Sequence, residues 1–345
     1  MIVFVSRAGI ITVYHLHCKY ILSPFPFLRH ILTVNYSAGP LPAGKDGCDI
    51  KEPVFTGSAT ALVTPYDEEG VDFALLERVI ERQADNGTSA LVICATTGES
   101  PVLSDEERAM IIGFCVRQTA GRMKVIACVG GNNTRKACAA ARQAEILGAD
   151  GVMLTTPYYN KANAEGLVRH FTDVADHTAL PLIAYNVPGR TAVSCSEILY
   201  ARLAEHPRVN GVKEASGDIS LVSRTLALCG DELNIWSGND DQTLPMMALG
   251  AKGVISVASN VIPKGVAALC AHCLQGDFAA ARTLQKNYAK LFELLFIEVN
   301  PIPVKAALHL LELDHGCYRL PLCPPSETHL DALRECLNEL APELV

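Results

Sequence analysis

Lys213 is the residue around which carbonyl chemistry could be built in this chain. It closes a short apolar run within Arg208–Gly217, which reads R-V-N-G-V-K-E-A-S-G. An ammonium group at the end of a buried strand loses hydration, and this favours the neutral amine. A neutral amine adds to carbonyl carbons and forms a Schiff base. The plainer alternative is a rim lysine paired at the surface with Glu214, and Lys213 taken alone fits that alternative better. Three further stretches shift the balance: A-T-T-G-E-S at 95–100, T-P-Y-Y-N at 156–160 and Y-N-V-P-G-R-T at 185–191. They bring Thr96, Thr97, Tyr159, Tyr185 and Arg190 into consideration.

Such residues meet only if a scaffold gathers their loops. From Val54 onward, short β-branched runs alternate with longer helix patterns. That alternation predicts repeated βα units and a parallel sheet. Eight strands are predicted, at Ala59–Thr64, Ala90–Cys94, Lys124–Val129, Gly151–Leu154, Leu182–Tyr185, Val209–Val212, Leu233–Trp236 and Gly253–Val257. Ser104 with Glu107, and Ser194 with Glu197, have the spacing of capping boxes at helix starts. Gly148 and Gly250 fall just past helix ends, where a left-handed cap is common. Eight units make a (β/α)8 TIM barrel. An open doubly wound sheet is the runner-up, weakened because no G-x-G-x-x-G follows the first strand. A helix at Lys264–Gln275 closes the barrel. Patterns at Phe278–Glu298, Val304–Leu313 and Glu327–Leu340 predict a C-terminal three-helix appendage. The expected organisation is an N-terminal extension over 1–50, a catalytic barrel over 51–276 and the appendage over 277–345.

In such a barrel the active site lies at the C-terminal ends of the strands. Thr96 and Thr97 follow the second strand, Tyr158 and Tyr159 the fourth, and Ser237-Gly238-Asn239-Asp240 the seventh. Tyr185 and Lys213 end the fifth and sixth, and Arg190 falls in the loop after Tyr185. Each has a plainer reading: a βα turn at Gly98, a rim aromatic at Tyr185, a solvated loop charge at Arg190. Taken together, these accidents would all have to fall at one rim.

The composition narrows the class. A formal net charge of -8 disfavours nonspecific nucleic-acid binding. Thirteen cysteines without framework spacing argue for reduced thiols in a cytoplasmic compartment. Cys270-Ala-His-Cys273 is a lone C-x-x-C inside an apolar helix pattern, which reads as packing and not as zinc. No metal-ligand cluster and no cofactor motif stands out. Met1–Ser37 is aromatic and acid-free, with no run long enough to span a bilayer. Gly39–Gly47 has linker composition. The first fifty residues are expected to be disordered or non-native.

From about Lys51 the chain resembles the dihydrodipicolinate synthase family, within the pyruvate-dependent class I aldolases. The resemblance rests on F-T-G-S-A-T-A-L-V-T-P at 55–65, the three stretches above, G-V-K-E-A-S-G at 211–217, S-G-N-D at 237–240, G-V-I-S-V at 253–257 and N-P-I-P-V-K at 300–305. T-T-G-E with a barrel lysine marks the superfamily, and Y-N-V-P-G-R-T is the more selective signal. The resemblance implies condensation of pyruvate with aspartate 4-semialdehyde, in lysine and diaminopimelate biosynthesis. Lys213 would form the imine with pyruvate, so no cofactor is needed. Tyr185 would relay protons, linked through Thr96 to Tyr159. Thr97 would hold the pyruvate carboxylate, Arg190 would bind the second substrate, and the Ile255 carbonyl and Gly238 loop would shape the pocket floor. In this family the tyrosine pair crosses a tight dimer interface, which implies at least a dimer and most simply a homotetramer of paired dimers.

The resemblance also implies a feedback site for lysine at Ser100, Pro101, Asp105, Arg108, Asn132, Lys136 and Tyr158. The family has histidine where Arg108 stands and glutamate where Lys136 stands. Lys136 would repel the ammonium of free lysine, so weak or absent feedback is expected.

Overall fold

The computed structural model describes residues 50–341, together with two short strands, Val3–Val5 and Ile11–Val13. Those two strands pair antiparallel, Val3 opposite Val13. The expectation for 1–50 otherwise falls outside the described residues.

Eight strands form a closed, all-parallel barrel in sequence order. They are β1 Gly57–Ala61, β2 Ala90–Ile93, β3 Lys124–Cys128, β4 Gly151–Thr155, β5 Leu182–Asn186, β6 Val209–Glu214, β7 Asn234–Ser237 and β8 Gly253–Ser256. β8 closes on β1 with Ile255 opposite Ala59. The helices between strands are α1 Phe73–Asp85, α2 Asp105–Thr119, α3 Thr134–Ile146, α4 Ala164–Asp176, a short α5 Pro188–Thr191, α6 Glu197–Ala204, α7 Ile219–Cys229 and α8 Thr243–Leu249. Then come α9 Pro263–Leu274, α10 Phe278–Asn287, α11 Ala289–Leu294, α12 Ile302–Leu310 and α13 Glu327–Glu339.

Eight of the described helices start on the same device, α10 on Asp277, α13 on Ser326 and six within the barrel. Asp72, Ser104, Asn133, Asn163, Ser196 and Asp218 each accept the backbone N–H three residues on. A side-chain acceptor there satisfies a donor that the first helical turn leaves free. Ser104 and Glu107 form the full reciprocal box. Ser194 and Glu197 do not: Ser196 is the cap, accepting from Leu199 N. Two serines two residues apart offered competing caps, and the nearer one won.

Strand alternation divides the core into shells. Inside the barrel lie Ala59, Val92, Ile126, Met153, Ile183 and Ile255, floored by Phe55 stacked on Trp236 at 5.1 Å. Facing outward, Leu91, Val125, Val152, Leu182 and Val212 pack with the helices. A third cluster joins β8, α8 and α9 to α10–α13. The C-terminal helices therefore share a core with the barrel wall.

The first strand starts two residues earlier than predicted and ends at Ala61; the Leu62 N–H still reaches the Val92 carbonyl, and the Val63 N–H turns to Asn260 Oδ1. The single helix expected over Phe278–Glu298 is two helices, interrupted at Tyr288, whose buried ring sits against Gly265 of α9. The predicted three-helix appendage is therefore four helices.

Candidate active site

The buried β6 strand presents Lys213 to the barrel interior and Glu214 to the opposite side. The two side chains part because neighbouring strand residues face opposite ways. Glu214 is bound instead by Asn186 Nδ2 at 3.0 Å, the Tyr200 hydroxyl at 2.5 Å and Ser216 N at 2.7 Å. The surface ion pair that the plainer reading of Lys213 required is not formed. Lys213 is only 4% exposed. Burial pushes its amine down to about 8, with Cys128 and Asp240 pulling it back up and Arg190 pushing it further down.

β5 sets Tyr185 directly beside Lys213 in the sheet register. The Lys213 Nζ lies 4.3 Å from the Tyr185 ring centre. Burial raises the Tyr185 phenol to about 12, offset in part by Arg190 and by a hydrogen bond to Thr96. Tyr185 therefore remains protonated at neutral pH, with a hydroxyl chain that leads to Thr96. Asp240 is buried nearby and accepts from Ser256 Oγ at 2.5 Å and from the N–H groups of Val257 and Ala258 at 3.0 Å. The floor around the lysine is close-fitting. A methyl at Gly238 would stand 2.6 Å from Ala215 Cβ and 3.2 Å from Lys213 Cε. Ile255 lies fully buried on β8, at the inner wall.

The Thr96–Thr97 loop is held from the far end of the chain. Asn300 Nδ2 donates to Thr97 Oγ1 at 3.0 Å, and Arg190 Nη2 donates to the Asn300 carbonyl at 2.9 Å. One residue thus touches both groups assigned to substrate carboxylates. Arg190 lies on the short helix α5, not in an open loop. Glu99, in left-handed backbone at φ 54, pairs with Lys305 Nζ at 2.8 Å, both side chains fully buried. Lys305 also donates to the Thr64 carbonyl at 3.1 Å, and Thr64 Oγ1 donates to the Gly98 carbonyl at 2.9 Å. The N-P-I-P-V-K and T-T-G-E stretches thus meet, a contact that neither stretch signals by its spacing. The available signal was a lysine amid apolar helix residues and an asparagine just before that helix.

Lys213, Tyr185, Thr96, Thr97, Arg190, Gly238 and Ile255 therefore converge at one barrel mouth. Tyr159 does not join them within the chain: it is 92% exposed, at φ 67, and Tyr158 is 41% exposed. A cleft of about 470 Å³ runs outward from Thr96 and Arg190, and Ser100, Pro101, Asp105, Arg108, Asn132, Lys136 and Tyr158 all line it. Arg108 is fixed there by Ser100, Nη1 to Oγ at 2.9 Å and Nη2 to the carbonyl at 3.1 Å. The described cysteines are all free thiols. No helix among the described residues is long and apolar enough to cross a membrane.

Comparison with known proteins bears on this geometry. The model of the dihydrodipicolinate synthetase family matches residues 54–340. The 4-hydroxy-tetrahydrodipicolinate synthase of Geobacter sulfurreducens is 47% identical over 286 residues, covering 83% of this chain and 99% of that protein. The crystal structure of dihydrodipicolinate synthase from Aquifex aeolicus superposes with a TM-score of 0.82 at 44% identity, covering 84% of this chain and 99% of that one. A structure of the enzyme from Cyanidioschyzon merolae with lysine bound gives a TM-score of 0.81 at 34% identity, with 84% and 99% covered. A matching barrel, a lysine-bearing strand and full-length relatives of this kind agree, and the chain belongs to the dihydrodipicolinate synthetase family.

Proposed function

We propose that the protein is a 4-hydroxy-tetrahydrodipicolinate synthase that condenses pyruvate with aspartate 4-semialdehyde through a Schiff base on Lys213. The observation that carries this reading is a buried lysine, lowered to about 8, that faces a protonated tyrosine inside a barrel mouth.

The neutral Lys213 amine adds to the pyruvate ketone, and the carbinolamine loses water to give the imine. Thr97 and its loop backbone receive the pyruvate carboxylate. The methyl group then loses a proton, its electron pair passes to the iminium nitrogen, and an enamine results. The enamine carbon attacks the semialdehyde carbonyl, whose oxygen takes a proton from the Tyr185–Thr96 chain. Arg190 pairs with the carboxylate of the second substrate, a charge-assisted contact of strong geometry. The substrate's own amine finally attacks the imine carbon and closes a six-membered ring, and Lys213 departs as the free amine. The electron sink in this scheme is the iminium nitrogen itself.

The exposure of Tyr159 supports a role across a subunit contact, where it would extend the Tyr185–Thr96 chain in a partner's site. A dimer is the minimum this requires, and a tetramer of paired dimers is the assembly proposed. Lys136 and Arg108 put two positive charges in the cleft, which supports weak or absent inhibition by lysine.

The test supplies pyruvate with aspartate semialdehyde, coupled to a reductase that consumes the cyclic product. Pyruvate with N-acetylmannosamine runs alongside. Turnover with the semialdehyde alone is expected. Tyr185→Phe should lower kcat by about 10²–10⁴-fold. Arg190→Ala should raise KM for the semialdehyde more than for pyruvate. Turnover with the amino sugar alone would overturn the assignment.

A further inference from the structure

Helices α3 and α4 begin just beyond the loops that carry Gly130–Asn132 and Tyr158–Tyr159, and part of the seam between them is polar. Thr134 and Cys138 are four residues apart on α3 and so share a face. His170, Asp173 and His177 recur at helical spacing along α4 and its C-terminal cap. Thr134 Oγ1 lies 2.9 Å from His170 Nδ1. The Cys138 thiol donates to Asp173 Oδ2 at 3.6 Å. His177 Nδ1 lies 2.7 Å from the Asp173 carbonyl. Ligand atoms of Cys138, Asp173 and His177 all fall within 4.8 Å of one another. The condensation chemistry uses none of these residues.

We propose that this seam is a binding site for a divalent cation of the zinc class. The donor set is a sulfur, a carboxylate oxygen and an imidazole nitrogen, which suits a borderline-soft ion and leaves a further position for water. The first two donors already face each other, with the Cys138 thiol hydrogen directed at Asp173 Oδ2. The cation takes that place. The thiol proton passes to solvent as the metal–sulfur bond forms, one proton for each cation bound, with no change of oxidation state. His177 Nδ1, 3.6 Å from Asp173 Oδ1, is the imidazole nitrogen beside the carboxylate, and it turns from the Asp173 carbonyl to the ion.

An independent observation comes from His170. It is 4% exposed, and its Nε2 is buried without a hydrogen-bond partner. With Asp173 it lines a cavity at the same helix pair. An unpaired buried nitrogen carries a desolvation penalty. A hydrated cation held by Asp173 supplies a partner for it. The bound ion would tie α3 to α4, and so brace the two helices that follow the Gly130–Asn132 and Tyr158–Tyr159 loops.

The experiment takes the full chain, strips it with a chelator and titrates it with cobalt(II) alone, followed by displacement with zinc(II). The expected result is one cobalt per chain with a thiolate-to-cobalt charge-transfer band, release of one proton, and loss of the band on adding zinc. Cys138→Ser should abolish the band and weaken binding by more than about 100-fold. His177→Ala, at a half-buried position, should weaken it by at least about 10-fold. Circular dichroism of both variants checks that they fold. The absence of a thiolate band in the wild-type protein would overturn the proposal. So would a band that survives Cys138→Ser and disappears in Cys273→Ser.

Discussion

An amine lowered to about 8 changes what Lys213 can do at physiological pH. At pH 7 about a tenth of it is neutral, against roughly one part in a few thousand for an ordinary lysine. Because the shift is downward, the neutral fraction grows as pH rises through about 8 and then saturates. The rate of pyruvate imine formation should therefore climb about tenfold from pH 6 to pH 7 and level off above pH 9. Stopped-flow trapping across that range measures it; a rate still rising tenfold per unit beyond pH 9 would mean an unperturbed lysine. Gly238, beside Lys213, has no room for a side chain. A side chain there meets Ala215 and the stem of Lys213. Gly238→Ala should cost about 10–100-fold in kcat with the fold retained, since small misplacements of a reacting group are expensive. The residues proposed for the chemistry, Tyr159 apart, could be picked out because they lie at or just past strand ends in unusual polar stretches. The partition of Lys213 from Glu214 was not, because it depends on which face of β6 looks inward.

At the scale of elements, α12 and the turn before it brace the second βα loop. The buried Lys305–Glu99 pair holds Glu99 in left-handed backbone, and Asn300 reaches Thr97 and Arg190. Breaking a buried pair leaves an uncompensated charge. Lys305→Met should cost about 3–5 kcal/mol in urea unfolding, and adding Glu99→Gln should return part of that loss. A double variant no more stable than the single would show that the ion pair is not the source of the cost. The Asn300–Thr97 and Lys305–Glu99 contacts join residues more than two hundred positions apart. Periodicity carries no information across such a distance, which is why the sequence showed the barrel strands but not this brace. The missed cap at Ser196 and the break at Tyr288 are failures of another kind. Each turned on a packing choice between two locally acceptable conformations.

At the scale of the molecule, the site is incomplete within one chain if Tyr159 acts in a partner. That reading makes a sharp prediction. Lys213→Ala and Tyr159→Phe, each inactive or weak alone, should regain up to about a quarter of wild-type activity when co-expressed, because a hybrid dimer rebuilds one intact site. No recovery would confine Tyr159 to its own chain. The family match begins at residue 54, and relatives are covered almost completely without the leading segment. A chain starting at Lys51 keeps the hydrogen bonds from Lys51 Nζ to the Ala204, His206 and Val209 carbonyls. It should retain full turnover and the same Tm. Lysine well below millimolar concentration should leave the activity unchanged, and inhibition at that level would contradict the charge argument at Lys136.

The central claim is that Lys213 is the amine that captures pyruvate. Borohydride reduction in the presence of pyruvate, followed by peptide mass mapping, tests it most directly. One reduced pyruvate on the peptide that contains Lys213, and none after Lys213→Arg, is the predicted result. An adduct on a different lysine, or no adduct under conditions that sustain turnover, would contradict the account.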